Sequence, residues 1–321
     1  MRVAVLRGGR SSEHEVSLRS GAAVAAGLRE AGHEVVEVLI ERQGRWLAER
    51  GEEVSVRPAG GFLGCDAVFP ALHGPGGEDG SVQGLLEVAD VPYVGSDVES
   101  SALCLDKLAF KRVLAAAGLP QVGFCDAGEE GWRERADSLG LPLWVKPARL
   151  GSSVGITKVT SLDALDAAAA AARRHDAKVI VEANGPGKEV ECSLLGHSEV
   201  IASTPGEIVA HADWYDFEAK YEPGGMDLRV PAGISDAASE RVRTLALEVF
   251  RLCGCSGLAR CDFFVDGEDV RVNELNTIPG FTETSVYGKL LEAGGIPYAE
   301  LCDRLVQVAL EKHAEARSYE L

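Results

Sequence analysis

The chain has 321 residues, 46% hydrophobic and 26% charged, with a formal net charge of −18. That composition is globular and excludes a disordered or fibrous protein, while the length exceeds the roughly 100–200 residues of one ordinary domain, so two or three packed units are expected. So negative a surface repels nucleic acid and acidic membranes. The apolar run Met1–Leu6 is too short for a signal peptide and far short of the ~20 residues that span a bilayer, so a soluble, cytoplasmic protein is expected.

In chain order, a strand over Val3–Leu6, an amphipathic helix over Ser17–Ala31 closed by Gly32, and strands over Glu34–Ile40 and Ala67–Ala71 predict a parallel α/β unit. A helix over Ser81–Ala89, with Asp79 near its start, and a short strand Val91–Val94 complete it, and a boundary is expected near Gly95. A helix over Ser101–Ala117 closed by Gly118-Leu119-Pro120 opens a second unit. Strands follow over Leu143–Val145 and Ile156–Thr160, then an alanine-rich helix capped by Ser161 and ending near His175. Lys178–Glu182 reads as a buried strand, and Asn184–Gly187 as the turn that opens a third unit. There, Glu189–Leu195 with Ser198–Ala202 forms an antiparallel pair, Asp236–Leu252 a helix, and Cys261–Val265 with Val270–Asn276 a hairpin. The eight cysteines, at 65, 104, 125, 192, 253, 255, 261 and 302, are scattered, most of them among apolar neighbours, as reduced buried thiols are. Cys253-Gly254-Cys255 has no second pair at zinc-site spacing.

The densest polar constellation is that last hairpin. Glu274 and Asn276 are two apart and share a strand face, and a loop of Gly267–Asp269 sets Asp262 across from Glu274. Two carboxylates and an amide oxygen suit magnesium, which completes its shell with phosphate and water; a solvated acidic face is the alternative. Lys146 followed by Arg149-Leu150-Gly151-Ser152-Ser153-Val154-Gly155 between two strands reads as a phosphate-approaching loop, although not a P-loop, because the lysine precedes the glycines. Trp214 through Tyr221, then Glu222-Pro223-Gly224-Gly225, reads as an exposed loop able to close over a site. Glu13-His14-Glu15 precedes a helix, with simple N-terminal capping as the alternative to a binding role and His14 expected at the surface. Gly8-Gly9 lacks the spaced glycines of a dinucleotide site, which argues against a dehydrogenase.

Taken together, these segments resemble the D-alanine–D-alanine ligases of the ATP-grasp superfamily along nearly the whole chain. The resemblance is carried, in order, by residues 8–17 (GGRSSEHEVS), His73-Gly74, Leu105-Asp106-Lys107, Val145-Lys146-Pro147, Gly151–Gly155, residues 218–221 (EAKY), residues 258–263 (LARCDF) and residues 273–280 (NELNTIPG). It implies an N-terminal Rossmann-like parallel α/β unit, residues 1–95, followed by a two-part ATP-grasp fold: a central subdomain, 96–181, and a C-terminal one, 182–321, with the metal site and lid. It implies adenine near Glu182 and Ala183, with Trp214 stacking and Glu189 on the ribose. Lys107, Lys146, Ser152 and Ser153 would meet the phosphates. Asp262, Glu274 and Asn276 would hold two magnesium or manganese ions, a monovalent cation being a further candidate.

By the same resemblance, the carboxylate of one D-alanine takes the γ-phosphoryl of ATP, and the amine of a second attacks the acyl phosphate behind a closing lid around residues 212–226. By that resemblance, the product would serve peptidoglycan precursor synthesis. Glu13 would bind the first ammonium and join Ser152 and Tyr221 in a hydrogen-bonded trio. His73 would contact substrate, Lys220 and Ser285 would receive the second carboxylate, and Arg260 with the Gly280 amide would form the oxyanion site. Relatives that make D-alanyl-D-lactate commonly carry histidine where this chain has Tyr221, so the dipeptide is expected. D-lactate or D-serine as second substrate, and a nucleotide-binding regulator without turnover, are the alternatives. Phe281 and Gly288 stand where the family often has methionine and proline. A homodimer is implied by resemblance alone.

Overall fold

The computed structural model describes residues 1–151, 154–210 and 226–319. Three sheets organise them. In the first, β1 (Arg2–Gly8) runs parallel to both β2 (Glu34–Ile40) and β4 (Ala67–Pro70), and the short β3 (Trp46–Leu47) pairs antiparallel with β2, giving the order β3-β2-β1-β4. Val3 to Leu6 are fully buried, as a strand covered on both faces requires. Helix α1 (His14–Glu30) covers one face, and α2 (Ser81–Ala89) packs on the other. The expected strand at Val91–Val94 is reduced to a parallel bridge between Tyr93 and Val68.

The expected helix over 101–117 is instead two, α3 (Val98–Leu105) and α4 (Lys107–Ala116). The break is Asp106: its backbone leaves the helical region at ψ 94, and its carboxylate accepts from the amides of Leu108 and Ala109, so it caps α4 from inside what periodicity reads as one run. Phe110 and Leu114 of α4 pack into the core of the third sheet.

The second sheet has the order β5-β8-β6-β7, all antiparallel, formed by β5 (Phe124–Asp126), β6 (Leu143–Pro147), β7 (Thr157–Val159) and β8 (Val179–Ala183). Alternation assigns its faces: Leu143, Val145, Val179 and Val181 meet α5 (Trp132–Leu139) and α6 (Leu165–Ala172), while Lys146, Ile180 and Glu182 lie on the other. Helix α6 begins later than expected. Ser161 makes no side-chain cap, a 3₁₀ turn takes Leu162–Ala164, and the helix ends at Ala172.

The third sheet has the order β12-β11-β9-β13-β14, with β10 (Val200–Ala202) on β9 (Lys188–Gly196). Its other strands are β11 (Gly206–Ala210), β12 (Met226–Arg229), β13 (Gly257–Asp266) and β14 (Asp269–Asn276), and α7 (Asp236–Leu252) packs on it. Helices α8 (Val286–Ala293) and α9 (Tyr298–Ala316) end the described chain. Leu301, Leu305 and Val306 of α9 share one core with Val24 and Leu28 of α1 and with Phe69, Phe281 and Tyr287. The chain's last helix therefore closes its first sheet. No helix among the described residues is long and apolar enough to cross a membrane.

Candidate active site

The hairpin β13–β14 reaches the expected pairing by a different route. Its loop is two residues, Gly267-Glu268, because Asp266 already faces Asp269. The register then shifts between Asp262 and Phe263, leaving Asn273 as the extra residue, and this bulge restores Asp262 opposite Glu274. Asp262 accepts from both Nε and Nη2 of Arg260 at 2.7 Å and from Asn276 Nδ2 at 3.1 Å. Glu191, directly across from Asp262 on β9, lies 2.9 Å from Arg260 Nε. Burial opposes the charge on Arg260, but Asp262 and Glu191 hold its pKa well above the ordinary value.

Among the described residues, no group of three or more His, Cys, Asp or Glu side chains gathers as a metal cage. What converges here is two carboxylates and one amide, all hard donors, so the site fits a cation that takes its remaining oxygens from a phosphate chain. Glu191 had a signal in the sequence that was not used: Glu189-Val190-Glu191 places both acids on one face of β9.

Of the two lysines expected to meet the nucleotide, Lys107 reaches this hairpin. Lys107, at the start of α4, donates to Leu150 O at 2.9 Å and stands 3.4 Å from Glu274 Oε2. Lys146 on β6 stands 2.6 Å from Glu182 Oε2. Burial opposes its charge, whereas Glu182, Glu274 and Glu189 raise its pKa, which places Lys146 between the expected adenine end and the metal end. Burial alone would also raise the Glu182 pKa, yet Lys111 and Lys146 bring it down to about 2. Lys111, absent from the sequence reading, follows Lys107 by one helical turn and so faces the same way. The Ala183 amide is engaged by Gly123 O at 2.9 Å. Below the glycine–serine loop, Arg149 donates through Nε and Nη2 to Asp176, fixing the loop's first residue.

On the opposite side, the loops of the first sheet carry the candidate substrate groups. The carbonyl of Ile278 can only accept, so His73 donates to it from Nδ1 at 3.0 Å, and its Nε2 accepts from Ser20 Oγ at 2.8 Å. Ser20 in turn accepts from the Phe281 amide at 3.3 Å. Burial lowers the His73 pKa, so the ring is a neutral clamp between α1 and the 278–281 loop. Both ring nitrogens are thus engaged within the protein.

Glu78 makes a second clamp, accepting from the Gly74 amide at 2.7 Å and the Ile278 amide at 3.3 Å. Burial and the neighbouring Glu13 push its pKa up to about 8, against the pull of those amides and Lys107. Sequence reasoning missed Glu78, although it follows His73-Gly74 closely. Glu13 is buried, and its carboxylate lies against Gly74 and Gly151, joining the first sheet's loops to the phosphate loop. His14, expected at the surface, is also buried, with Nδ1 on Gly9 O at 2.7 Å. Gly280 and Ser285 are side by side: Ser285 Oγ would lie 3.2 Å from a Cβ at Gly280, and it accepts from the Thr282 amide. Ser152, Ser153, Trp214, Lys220, Tyr221 and the expected lid through residue 225 lie outside the described residues.

The family model "D-ala D-ala ligase C-terminus" matches residues 113–307, and "D-ala D-ala ligase N-terminus" matches 2–61 and 58–96. A D-alanine–D-alanine ligase of Deinococcus radiodurans is 49% identical, covering 97% of this chain and 99% of its own. Among solved structures, the D-alanine–D-alanine ligase of Coxiella burnetii superposes with a TM-score of 0.90 at 33% identity, covering 99% of this chain and 96% of that one. The VanG D-Ala:D-Ser ligase of Enterococcus faecalis gives 0.85 at 34% identity, covering 96% of this chain and 99% of that one.

Proposed function

The chain belongs to the D-alanine–D-alanine ligase family, and from that premise we propose that it joins two D-alanines into D-alanyl-D-alanine, cleaving ATP to ADP and phosphate, for peptidoglycan precursor synthesis. The observation that carries this reading is the convergence of Asp262, Glu274 and Asn276 with Lys107, Lys146 and Arg260 on one side, facing Glu13 and the clamped 278–281 loop on the other.

A carboxylate oxygen of the first D-alanine attacks the γ-phosphorus and ADP leaves. The amine of the second then attacks the acyl phosphate carbonyl, and phosphate leaves from the tetrahedral intermediate. Divalent magnesium or manganese, when bound, supplies charge neutralisation on the triphosphate, and Asp262, Glu274 and Asn276 would hold two such ions. Lys107 and Lys146 orient the phosphates with Ser152 and Ser153. Glu182, Ala183, Glu189 and Trp214 take the nucleoside. Glu13 receives the first ammonium and works with Ser152 and Tyr221, while Lys220 and Ser285 receive the second carboxylate. Arg260 and the Gly280 amide stabilise the oxyanion. His73 acts by holding the 278–281 loop.

Residues 1–95 would form the substrate unit, 96–181 the central nucleotide unit, and 182–321 the unit with metal side chains and lid. A cytoplasmic homodimer, and a monovalent cation as a further candidate ligand, extend the same reading by resemblance. The test is phosphate release from ATP and magnesium with D-alanine alone, then with D-alanine plus D-lactate or D-serine, products being identified by mass. Dipeptide with D-alanine alone supports the reading; release that waits for D-lactate or D-serine replaces it with a sister ligase. ATP binding without release under any condition makes the chain a regulator.

A further inference from the structure

Lys111 is a lysine that the reaction as described does not use, yet it is 1% exposed on α4, and its ion-pair partner among the described residues, Glu182, is 2% exposed. Its Nζ lies 3.1 Å from Glu182 Oε1, a buried pairing of charges. The Phe124 ring, 6.0 Å away, adds a weaker cation–π contact. Burying an ammonium and a carboxylate together is costly, and replacing such a pair by apolar side chains is often neutral or stabilising, so its presence calls for a role beyond stability.

The register supplies that role. Phe124, Trp144 and Glu182 are directly paired across β5, β8 and β6, and Lys146 is two residues beyond Trp144, so all four side chains stand on the face away from the α5–α6 core. Glu182 is gripped on one oxygen by Lys146 and on the other by Lys111. A carboxylate held so is fixed in rotation and remains ionised, and an ionised carboxylate can only accept hydrogen bonds.

We propose that Lys111 is a positioning and specificity-determining residue for the nucleotide: by fixing the Glu182 carboxylate, it sets a preference for a 6-aminopurine over a 6-oxopurine. This rests on the placement of adenine beside Glu182 in the proposed function. An exocyclic amine donates to the fixed carboxylate, whereas a 6-oxo group turns a lone pair toward it and leaves both acceptors without a hydrogen between them. Without Lys111 the carboxylate is free to rotate or to take up a proton, and a protonated acid donates to a 6-oxo group as readily as it accepts from an amine.

The experiment measures ATP and ITP affinity by calorimetry, and phosphate release with D-alanine, for the wild type, Lys111→Met, Lys111→Arg and Glu182→Gln. Lys111→Met is expected to weaken ATP binding and to reduce the ATP-over-ITP preference by about tenfold or more, ~1.4 kcal/mol, while kcat at saturating ATP stays within roughly twofold, as a loss of uniform binding requires. Lys111→Arg retains the preference. Circular dichroism establishes folding, and if Lys111→Met does not fold, Lys111→Gln, which fills the same space with a neutral polar group and leaves Glu182 in place, is read instead with a loss of preference in the same direction. Equal weakening toward ATP and ITP overturns the proposal. So does loss of the preference in Glu182→Gln without loss in Lys111→Met. An unchanged preference in Glu182→Gln overturns it together with the adenine placement, whereas dipeptide formation by the wild type tests the ligase reading separately.

Discussion

Gly74 and Gly76 offer a matched pair of perturbations. Both have left-handed backbones, φ +74 and φ +86, so alanine at either position costs ~1–2 kcal/mol. For a chain of this size that corresponds to a fall in Tm of about 1.5–3 °C. A Cβ at Gly76 would meet nothing within 4 Å, but one at Gly74 would lie 2.7 Å from Glu13 Oε2. Real contacts of this kind begin near 3.0 Å and relax by 3.4 Å, so the carboxylate must retreat by about 0.3–0.7 Å. Because that oxygen ends a flexible side chain, the retreat adds little to the folding cost; its consequence falls on the ammonium that Glu13 is proposed to bind. Losing half of a charge-assisted hydrogen bond of ~1.5–3 kcal/mol raises KM for the first D-alanine by roughly three- to tenfold. Phosphate release against D-alanine concentration, with scanning calorimetry, separates the effects: Gly76→Ala should lower Tm alone, Gly74→Ala should lower Tm equally and also raise KM. Equal KM values in the two variants would refute the placement of the first ammonium at Glu13.

Asp262→Asn keeps the shape of the hairpin but removes one of the carboxylates proposed to hold metal and the bidentate partner of Arg260, which retains Glu191. Phosphate release should fall by roughly 100-fold or more and recover in part at high magnesium; an activity indifferent to magnesium concentration contradicts the metal assignment. Glu78 has its pKa raised to about 8 from 4.5, so the folded state holds the extra proton between those values, and stability falls as pH rises through that window. Glu78→Gln should flatten this slope in thermal unfolding at pH 5.5 and 8.5, and parallel slopes in the two proteins would exclude Glu78 as its source. Of the eight thiols, Cys65 is half-buried and the rest are buried. One equivalent of a thiol reagent should react with the native protein, slowly because burial raises the Cys65 pKa, and eight after unfolding; rapid reaction of several in the native state contradicts this packing.

Much of this was legible in the sequence because strands and helices announce themselves by period. β2 and α7 have the bounds that alternation and capping predict, Glu34–Ile40 and Asp236–Leu252. The pairing of Asp262 with Glu274 was legible too, but its mechanism was not: hydrophobic alternation does not distinguish a three-residue loop from a two-residue loop followed by a bulge at Asn273. Asp106 was hidden for a related reason, since an internal cap that breaks α3 from α4 leaves the apolar period almost intact. Glu78, Glu191 and Lys111 were missed because their meaning is tertiary. Each is a charged residue that sequence assigns to the surface, and each is drawn inside by partners from distant segments, Ile278, Arg260 and Glu182.

The core explains why such charges are tolerated where they are. The helix α9 packs on α1, and the same apolar cluster takes in Phe281 and Tyr287, so the 278–281 loop is seated on the first sheet by hydrophobic burial as well as by the His73 and Glu78 clamps. The second sheet buries its other face in a separate cluster around Val145, Val181 and Ala169. The two sides of the cleft thus draw their stability from different cores, and the polar contacts between them need only specify geometry. Glu13 against Gly151 crosses from one side to the other without joining those cores. A ligand that bridges the two sides would add its binding energy to their alignment, the condition for charge placed in advance of the proposed acyl transfer.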